Sequence, residues 1–324
     1  MKTTKQRILD FIKEKEEVSP KMIVDFLEIT EAAVYRHLKD LIEQKKIGKI
    51  GKTPRVFYFL IKQSEIEIPS NFSQEEKEYI EENFFLITPQ GEILEGVKAF
   101  IYFCKEKKLE PNKTAGEYIK TLTKYSQYKK EDLINGMEKI KSSFEKIYLD
   151  EIYYLDFYSI ERFGKTKLGW LLLYAKQTQN KKLMKKIFEI VKNKIEKLIK
   201  NKQIDAIGFI PPTIKRKIQL QKELEKSLNL TLPKINLVKA SGEVAVPQKS
   251  LSKLRDRMEN TRRTIFIDNK IKYKNILLID DAVGSGATLN ETAKKIKERN
   301  SVKGKIIGLA LVGSFKGFDV ISEV

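Results

Sequence analysis

The 324-residue chain contains one cysteine, one histidine and one tryptophan. With Cys104 alone, no internal disulfide can form and a multi-cysteine zinc site is excluded. Cys104 falls in a helical pattern with Val97, Phe100 and Ile101, which predicts a small buried thiol rather than a nucleophile. With His37 alone, Ser–His or Cys–His catalysis and multi-histidine metal sites are nearly excluded. No apolar run approaches the roughly 18 residues that cross a bilayer. The opening stretch MKTTKQRILDFIKEKEE has neither the apolar segment nor the cleavage-like site of a secretory signal. These absences predict a soluble, cytoplasmic protein with no membrane contact.

What the chain does have is length, ordinary hydrophobicity and positive charge. Its 324 residues suffice for two domains at about 100–200 residues each, and an apolar fraction of 41% permits ordinary cores. Against 63 basic residues stand 44 acidic ones, a net charge of +19. That excess suits nucleic acid, a phosphorylated ligand or an anionic membrane surface. A biased coding composition would produce the same total, so the positions of the charges have to decide.

In residues 1–62, Ile8, Phe11 and Ile12 recur at helical spacing. Ser19-Pro20 then supplies a cap and a first-turn proline for a second helix, KMIVDFLEI. Thr30 caps a third, whose Val34, Leu38, Leu41 and Ile42 form an inward stripe. IGKIGKTPRVFYFL alternates apolar residues around Gly51-Lys-Thr-Pro54 and reads as a hairpin. Three helices and a hairpin make a winged helix-turn-helix, and AVYRHLKDLIEQKKIGKIGKTPRVFYFL resembles bacterial winged-helix regulators. The face opposite Val34 and Leu38 carries Thr30, Glu31, Ala32, Tyr35, Arg36 and Lys39, while Lys49, Lys52 and Arg55 would reach phosphates from the wing. DNA, or else RNA, is the expected partner. Use of the same fold for protein contacts or dimerisation is the alternative.

Residues 63–148 read as a helical middle segment, a connector or dimerisation layer in an expected homodimer. The stretch 147–164 is dense in aromatic and β-branched residues and is a strand or hairpin; its Tyr153, Tyr154, Phe157 and Tyr158 suit a core better than a stacked base. KKLMKKIFEIVKNKIEKLIKNK (181–202) is a basic amphipathic helix, read as packed on a sheet with a solvated lysine face rather than on a membrane.

Between 149 and 324, apolar runs at 204–210, 233–238, 263–268, 275–280 and 305–313 are partly separated by helical segments. The pattern predicts an α/β domain with a parallel sheet, whose ligands bind at the carboxyl ends of strands. ILLIDDAVGSGAT (276–288) stands at such an end. Gly284 and Gly286 permit backbone angles that turn amides inward, the next helix offers its positive end, and the Ser285 and Thr288 hydroxyls add donors: a phosphate cradle. Two carboxylates beside a phosphate make sense if they accept from vicinal hydroxyls or face a divalent cation. A P-loop is excluded, because Ala287-Thr288 supplies no lysine.

These residues resemble the signature of type I phosphoribosyltransferases, which bind phosphoribosyl pyrophosphate (PRPP). The resemblance implies that Asp280 and Asp281 contact the ribose hydroxyls and act in catalysis. It implies further that Ala282, Val283 and Gly284–Thr288 complete the PRPP site, and that Mg2+ arrives with the PRPP rather than on a direct protein ligand set. Within that superfamily the likeness is to ComF-like proteins, carried by Pro247, Gln248, Leu251, Arg257, Asn260 and Phe266 and by IGFIPPTIKRKIQLQKELEKSL. The pyrophosphate and lid residues implied are Lys215, Arg216, Lys217, Gln248, Arg257 and Asn260, with 240–262 as the lid. One departure is Arg216-Lys217-Ile218-Gln219, where the family has Arg-Gly-aromatic-Asn. Another is Gly284, where purine-salvage relatives carry an aspartate that assists base protonation, which argues against 6-oxopurine salvage. The expected function is transfer of a phosphoribosyl group to or from a base or nucleotide, coupled to a nucleic-acid-binding domain. The alternatives are a non-catalytic PRPP or nucleotide sensor that regulates transcription and, by analogy only, a nucleotide-targeting defence effector.

Overall fold

The computed structural model describes residues 2–44, 46–52, 55–61, 72–240, 244, 246–247, 250–268 and 272–314. The chain divides into two compact units, Met1–Glu67 and Ile68–Val324. The expected boundary at 62/63 lies outside the described residues.

The first unit runs α1 (Thr4–Lys15), β1 (Glu17–Val18), α2 (Pro20–Leu27), α3 (Glu31–Glu43), β2 (Ile47–Lys52) and β3 (Arg55–Leu60). Each helix starts on a side-chain cap: Thr3 accepts from the Gln6 amide, Ser19 from Met22 and Thr30 from Ala33. Glu28 ends α2 in the left-handed region at φ 55°, so α3 begins after a three-residue turn. The strands form an antiparallel sheet in the order β1-β3-β2. Its inner face and the three helices bury Ile8, Ile12, Ile23, Val34, Leu38, Leu41 and Tyr58 in one core.

The second unit opens with α4 (Gln74–Asn83), β4 (Phe85–Ile87), β5 (Ile93–Glu95), α5 (Gly96–Lys107), α6 (Pro111–Ser126), β6 (Lys129–Lys130), β7 (Leu133–Asn135) and α7 (Met137–Ser143). Then come β8 (Glu151–Phe157), β9 (Ser159–Ile160), a 3-10 turn (Glu161–Phe163), β10 (Gly164–Lys165), α8 (Lys167–Thr178) and α9 (Lys181–Asn201). It closes with β11 (Ala206–Phe209), α10 (Leu220–Leu228), β12 (Asn236–Lys239), α11 (Leu254–Thr264), β13 (Ile265–Asp268), β14 (Ile276–Val283), α12 (Ala287–Glu298) and β15 (Ile306–Gly313).

The main sheet has six strands in the order β11-β14-β15-β8-β7-β6. β11, β14, β15 and β8 are parallel, while β7 and β6 extend the edge antiparallel. The segment expected as a helical middle therefore also supplies two strands of this sheet. Burial explains the parallel part, since all eight residues of β15 are buried and so are the first four of β14. Leu277, Ile279, Ile307, Leu309 and Leu311 pack against α8, α9 and α10. On the opposite face Gly308 lies between Ile152 and Leu289 of α12.

Of two further runs expected in the parallel sheet, the first only touches it, through one parallel bridge between Lys234 and Ile207 of β11, and the second lies elsewhere. β12 and β13 pair antiparallel in a separate two-stranded ribbon. The reason is in their alternation: Ile235, Ile265 and Ile267 are buried, but Val238 and Phe266, which face each other across the ribbon, are 47% and 48% exposed. Such half-buried strands suit a ribbon covered on one side, not a sheet centre. Tyr154, Phe157 and Tyr158 are core residues, and Cys104 is buried, its thiol pushed up to about 11 by desolvation.

Candidate functional site

β14 rises through the sheet with side chains alternating between its faces. The face of Leu277 and Ile279, which packs on α8–α10, also receives Asp281; the face of Ile276 and Leu278 receives Asp280. Both acids line a cavity of about 190 Å³ at the carboxyl end of the strand. Its other walls are the loop after β11 (Ile210–Ile214 and Arg216), Lys176 of α8, Gln221 of α10, Lys239 of β12, Pro247, Arg257 of α11, and 282–289.

The two acids differ in surroundings. Asp281 Oδ2 lies 2.7 Å from Lys176 Nζ and accepts a 2.9 Å hydrogen bond from Gln221 Nε2, with the side chains of Lys176 and Asp281 only 14% and 11% exposed. Asp280, half-buried, accepts the Asp281 amide on Oδ1 at 2.8 Å. Desolvation, reinforced by the neighbouring Asp281 charge, pushes the Asp280 carboxyl up to about 7. Lys239, which donates to Thr213 Oγ1 at 2.6 Å, has its ammonium pushed down by burial, opposed by Asp280.

Beyond the acids, the loop turns into α12 at Gly286, whose φ of +81° is the left-handed region that glycine adopts without strain. A Cβ there would also collide with Ile140 of α7. Ser285 is buried, and its hydroxyl accepts from the Ala287 amide at 3.4 Å. Thr288 is half-buried at the cavity wall. The first amides of α12 have no carbonyl partner within the helix, the first such bond being that of the Asn290 amide to the Gly286 carbonyl, and helix N-termini of this kind favour negative charge. Over this loop lies the buried Arg257, its Nη1 3.8 Å from where a Cβ on Gly284 would stand.

Arg257 is held there by how α11 docks on α12. Its Nε donates to the Leu251 carbonyl at 2.7 Å. Lys295 donates to the carbonyls of Arg262 and Ile265, Arg299 donates to that of Ile267, and Arg262 forms a 3.5 Å ion pair with buried Glu291. On the other flank of α12, fully buried Asn290 accepts from the Tyr148 amide at 2.8 Å and donates to the Lys146 carbonyl at 3.1 Å.

Of the residues expected for pyrophosphate and the lid, Arg216 and Arg257 line the cavity, whereas Lys215 and Lys217 are exposed beside it. Asn260 is on α11 outside the lining residues, and Gln248 lies outside the described residues. Part of the expected lid, from residue 254, is α11 itself. Lys176, Gln221 and Lys239 were not anticipated. Lys176 follows Leu168 and Leu172 at four-residue spacing on the inner face of α8, and Gln221 precedes Leu224 and Leu228 on that of α10. A polar residue inside an apolar stripe needs a partner, and that was the available signal.

In the first unit, Glu31, Tyr35, Arg36 and Lys39 are exposed along one face of α3. Thr30 is engaged as its cap, and Lys49 and Arg55 are exposed on β2 and β3. Lys52 is in β2.

Comparison with known proteins finds matches to part of the second unit. Residues 171–324 match the PRTase-CE family. The matched stretch begins within α8 and includes both acids, the loop and every cavity-lining residue. No curated protein matches the chain. Among solved structures, a hypoxanthine-guanine phosphoribosyltransferase from Bacillus anthracis is 16% identical, over 40% of this chain and 68% of that one, with a TM-score of 0.26. An adenine phosphoribosyltransferase from Trypanosoma brucei, in complex with AMP, pyrophosphate and ribose-5-phosphate, is 12% identical over 50% and 83%, with a TM-score of 0.28. Among the described residues, no helix is long and apolar enough to cross a membrane.

Proposed function

We propose that the second unit binds Mg-PRPP and transfers its phosphoribosyl group to or from a base or nucleotide, and that the first unit is a winged helix binding nucleic acid. The observation that carries the ligand assignment is the pairing, at one strand end, of two carboxylates with a glycine loop at a helix N-terminus. Each acid keeps one oxygen, Asp280 Oδ2 and Asp281 Oδ1, without a protein hydrogen-bond donor among the described residues. These are acceptors for two vicinal hydroxyls, while the loop and Arg257 suit the 5′-phosphate. Lys176, Arg216, Lys239 and Arg257 give the cavity four cations against two carboxylates, which favours a polyanionic sugar.

That donor set fits a ligand that would bring its own Mg2+, since the two carboxylates and four cations of the cavity form no direct metal-ligand cluster among the described residues. When bound, the ion would neutralise charge on departing pyrophosphate. The protein's share is positioning and electrostatics: Arg216 and Lys239 face the developing negative charge, and Pro211 and Pro212 stiffen the wall opposite the loop.

Sensing without turnover is the second reading, supported by the turn at 216–219. There the Ile218 amide donates to Gln179 Oε1 at 2.9 Å and so is committed within the protein. Pyrophosphate release from Mg-PRPP over a panel of bases, nucleosides and nucleotides separates the two. Release with one acceptor class supports transfer; tight binding with no release across the panel supports the sensor.

For the first unit, support comes from three capped helices, a β2–β3 hairpin, and the exposed Tyr35, Arg36 and Lys39 on α3. The predicted homodimer and the link between nucleic acid and PRPP belong to the same proposal, and analytical ultracentrifugation with and without Mg-PRPP tests the former.

A further inference from the structure

The fold gives the two acids unequal support. Strand alternation sends Asp281 toward α8 and α10, where Lys176 and Gln221 both engage the same oxygen, Oδ2. Asp280 goes to the other face and, among the described residues, accepts only the Asp281 amide. Lys176 and Gln221 belong to no part of the signature and come from helices 105 and 60 positions before Asp281 in the chain.

We propose that Lys176 and Gln221 are positioning residues that hold Asp281 by Oδ2 with Oδ1 turned to the ligand, leaving Asp280 as the acid whose ionisation admits it. The proposal rests on the PRPP reading for the identity of the ligand, but not for the division between the acids.

Adjacent carboxylates in a poorly solvated cavity resist ionising together, so one holds its charge only where a cation or donor stabilises it. Lys176 supplies the cation and Gln221 a donor, both to Asp281. The charged groups that face Asp280 are Asp281 on its own strand, Lys176 from α8, Lys239 from β12, Arg216 from the loop after β11 and Arg257 from α11. Of these, Lys239 is already hydrogen-bonded to Thr213 and is pushed toward its neutral form by burial. Even with these cations in place the Asp280 carboxyl is pushed up to about 7, losing Lys176 would push it higher, and a protonated Asp280 accepts fewer hydrogen bonds from a diol. A cavity built this way takes ligand more tightly as pH rises.

The test compares wild type, Lys176→Met, Lys176→Arg and Gln221→Leu in the full chain, each checked for folding by its melting transition. Mg-PRPP affinity is measured by calorimetry from pH 5.5 to 8.5. The expected wild-type profile tightens through about pH 7. Lys176→Met should bind at least tenfold more weakly at pH 8, with its midpoint moved to higher pH, and Lys176→Arg should stay within about threefold of wild type. Gln221→Leu should weaken binding less than Lys176→Met. If the variants lose affinity equally at every pH with the midpoint unmoved, Lys176 is structural only and the proposal fails.

Should wild type bind no Mg-PRPP, the ligand reading fails and the division is tested separately. Carboxyl 13C resonances of Asp280 and Asp281 are titrated in the ligand-free protein. Two separated midpoints, with the upper one moving to higher pH in Lys176→Met, uphold the proposal; coincident midpoints, or no movement, overturn it.

Discussion

Oδ1 of Asp280 accepts the backbone N–H of Asp281 at 2.8 Å, so the first acid of the pair is oriented by the chain that carries the second. This bond favours the charged form of Asp280, but desolvation and the Asp281 charge outweigh it and push the carboxyl up to about 7. In the unfolded chain the group titrates near 4. Between those values the folded state binds more protons than the unfolded one, so this group's contribution to stability falls as pH rises from 4 through 7. Asp280→Asn should therefore raise the melting temperature relative to wild type at pH 8 and change it much less at pH 4. At about 2–4 °C per kcal/mol for a unit of this size, a thermal melt reads the difference. A gain that is equal at both pH values would contradict the assignment.

Gly286 is constrained twice, by its φ of +81° and by Ile140. Gly286→Ala should cost about 1–3 kcal/mol in urea unfolding and weaken anion binding at the loop. Because Ile140 is fully buried, the steric part is read by comparing Gly286→Ala in the Ile140→Ala background with Ile140→Ala alone, where the loss should shrink to the backbone part. No remaining loss in that background would show that the left-handed conformation is not required.

Asn290 joins α12 to the segment before β8 through the Tyr148 amide and the Lys146 carbonyl. Asn290→Ala leaves both without their partner, at an expected cost of about 1–3 kcal/mol in the same urea assay. A loss below about 0.5 kcal/mol would mean that these bonds are exchanged for water without penalty.

If α3 and the β2–β3 hairpin meet a nucleic-acid backbone, Arg36→Ala and Lys49→Ala should each lower affinity at low salt. Each should also reduce the slope of log affinity against log salt by roughly one unit. Fluorescence anisotropy with duplex DNA and with RNA checks this. Unchanged slopes in both would move the contact away from this face.

The parallel sheet and the turn into α12 were legible in the sequence because both are local: ILLI is a continuous apolar run, and GSGAT has no other reason to interrupt it. β13 lies outside the parallel sheet, and the run of β12 only touches it at Lys234, because a short apolar run does not announce its partner, although the polar Asn236 between Ile235 and Leu237 already hinted at one-sided burial. β6 and β7, of two and three residues, are too short for any periodicity to declare them. The support of Asp281 was illegible for another reason. Lys176 and Gln221 meet it only through long-range packing of α8 and α10 on the same face of β14.

The central claim is that the cavity at the end of β14 binds Mg-PRPP through its acid pair. Calorimetric titration of the full chain at pH 8, wild type beside Asp280→Asn/Asp281→Asn, tests it most directly. The account predicts one saturable site per chain in the wild type and at least a hundredfold loss in the double variant with its fold intact. Equal affinity in the two proteins, or no binding by the wild type, would contradict it.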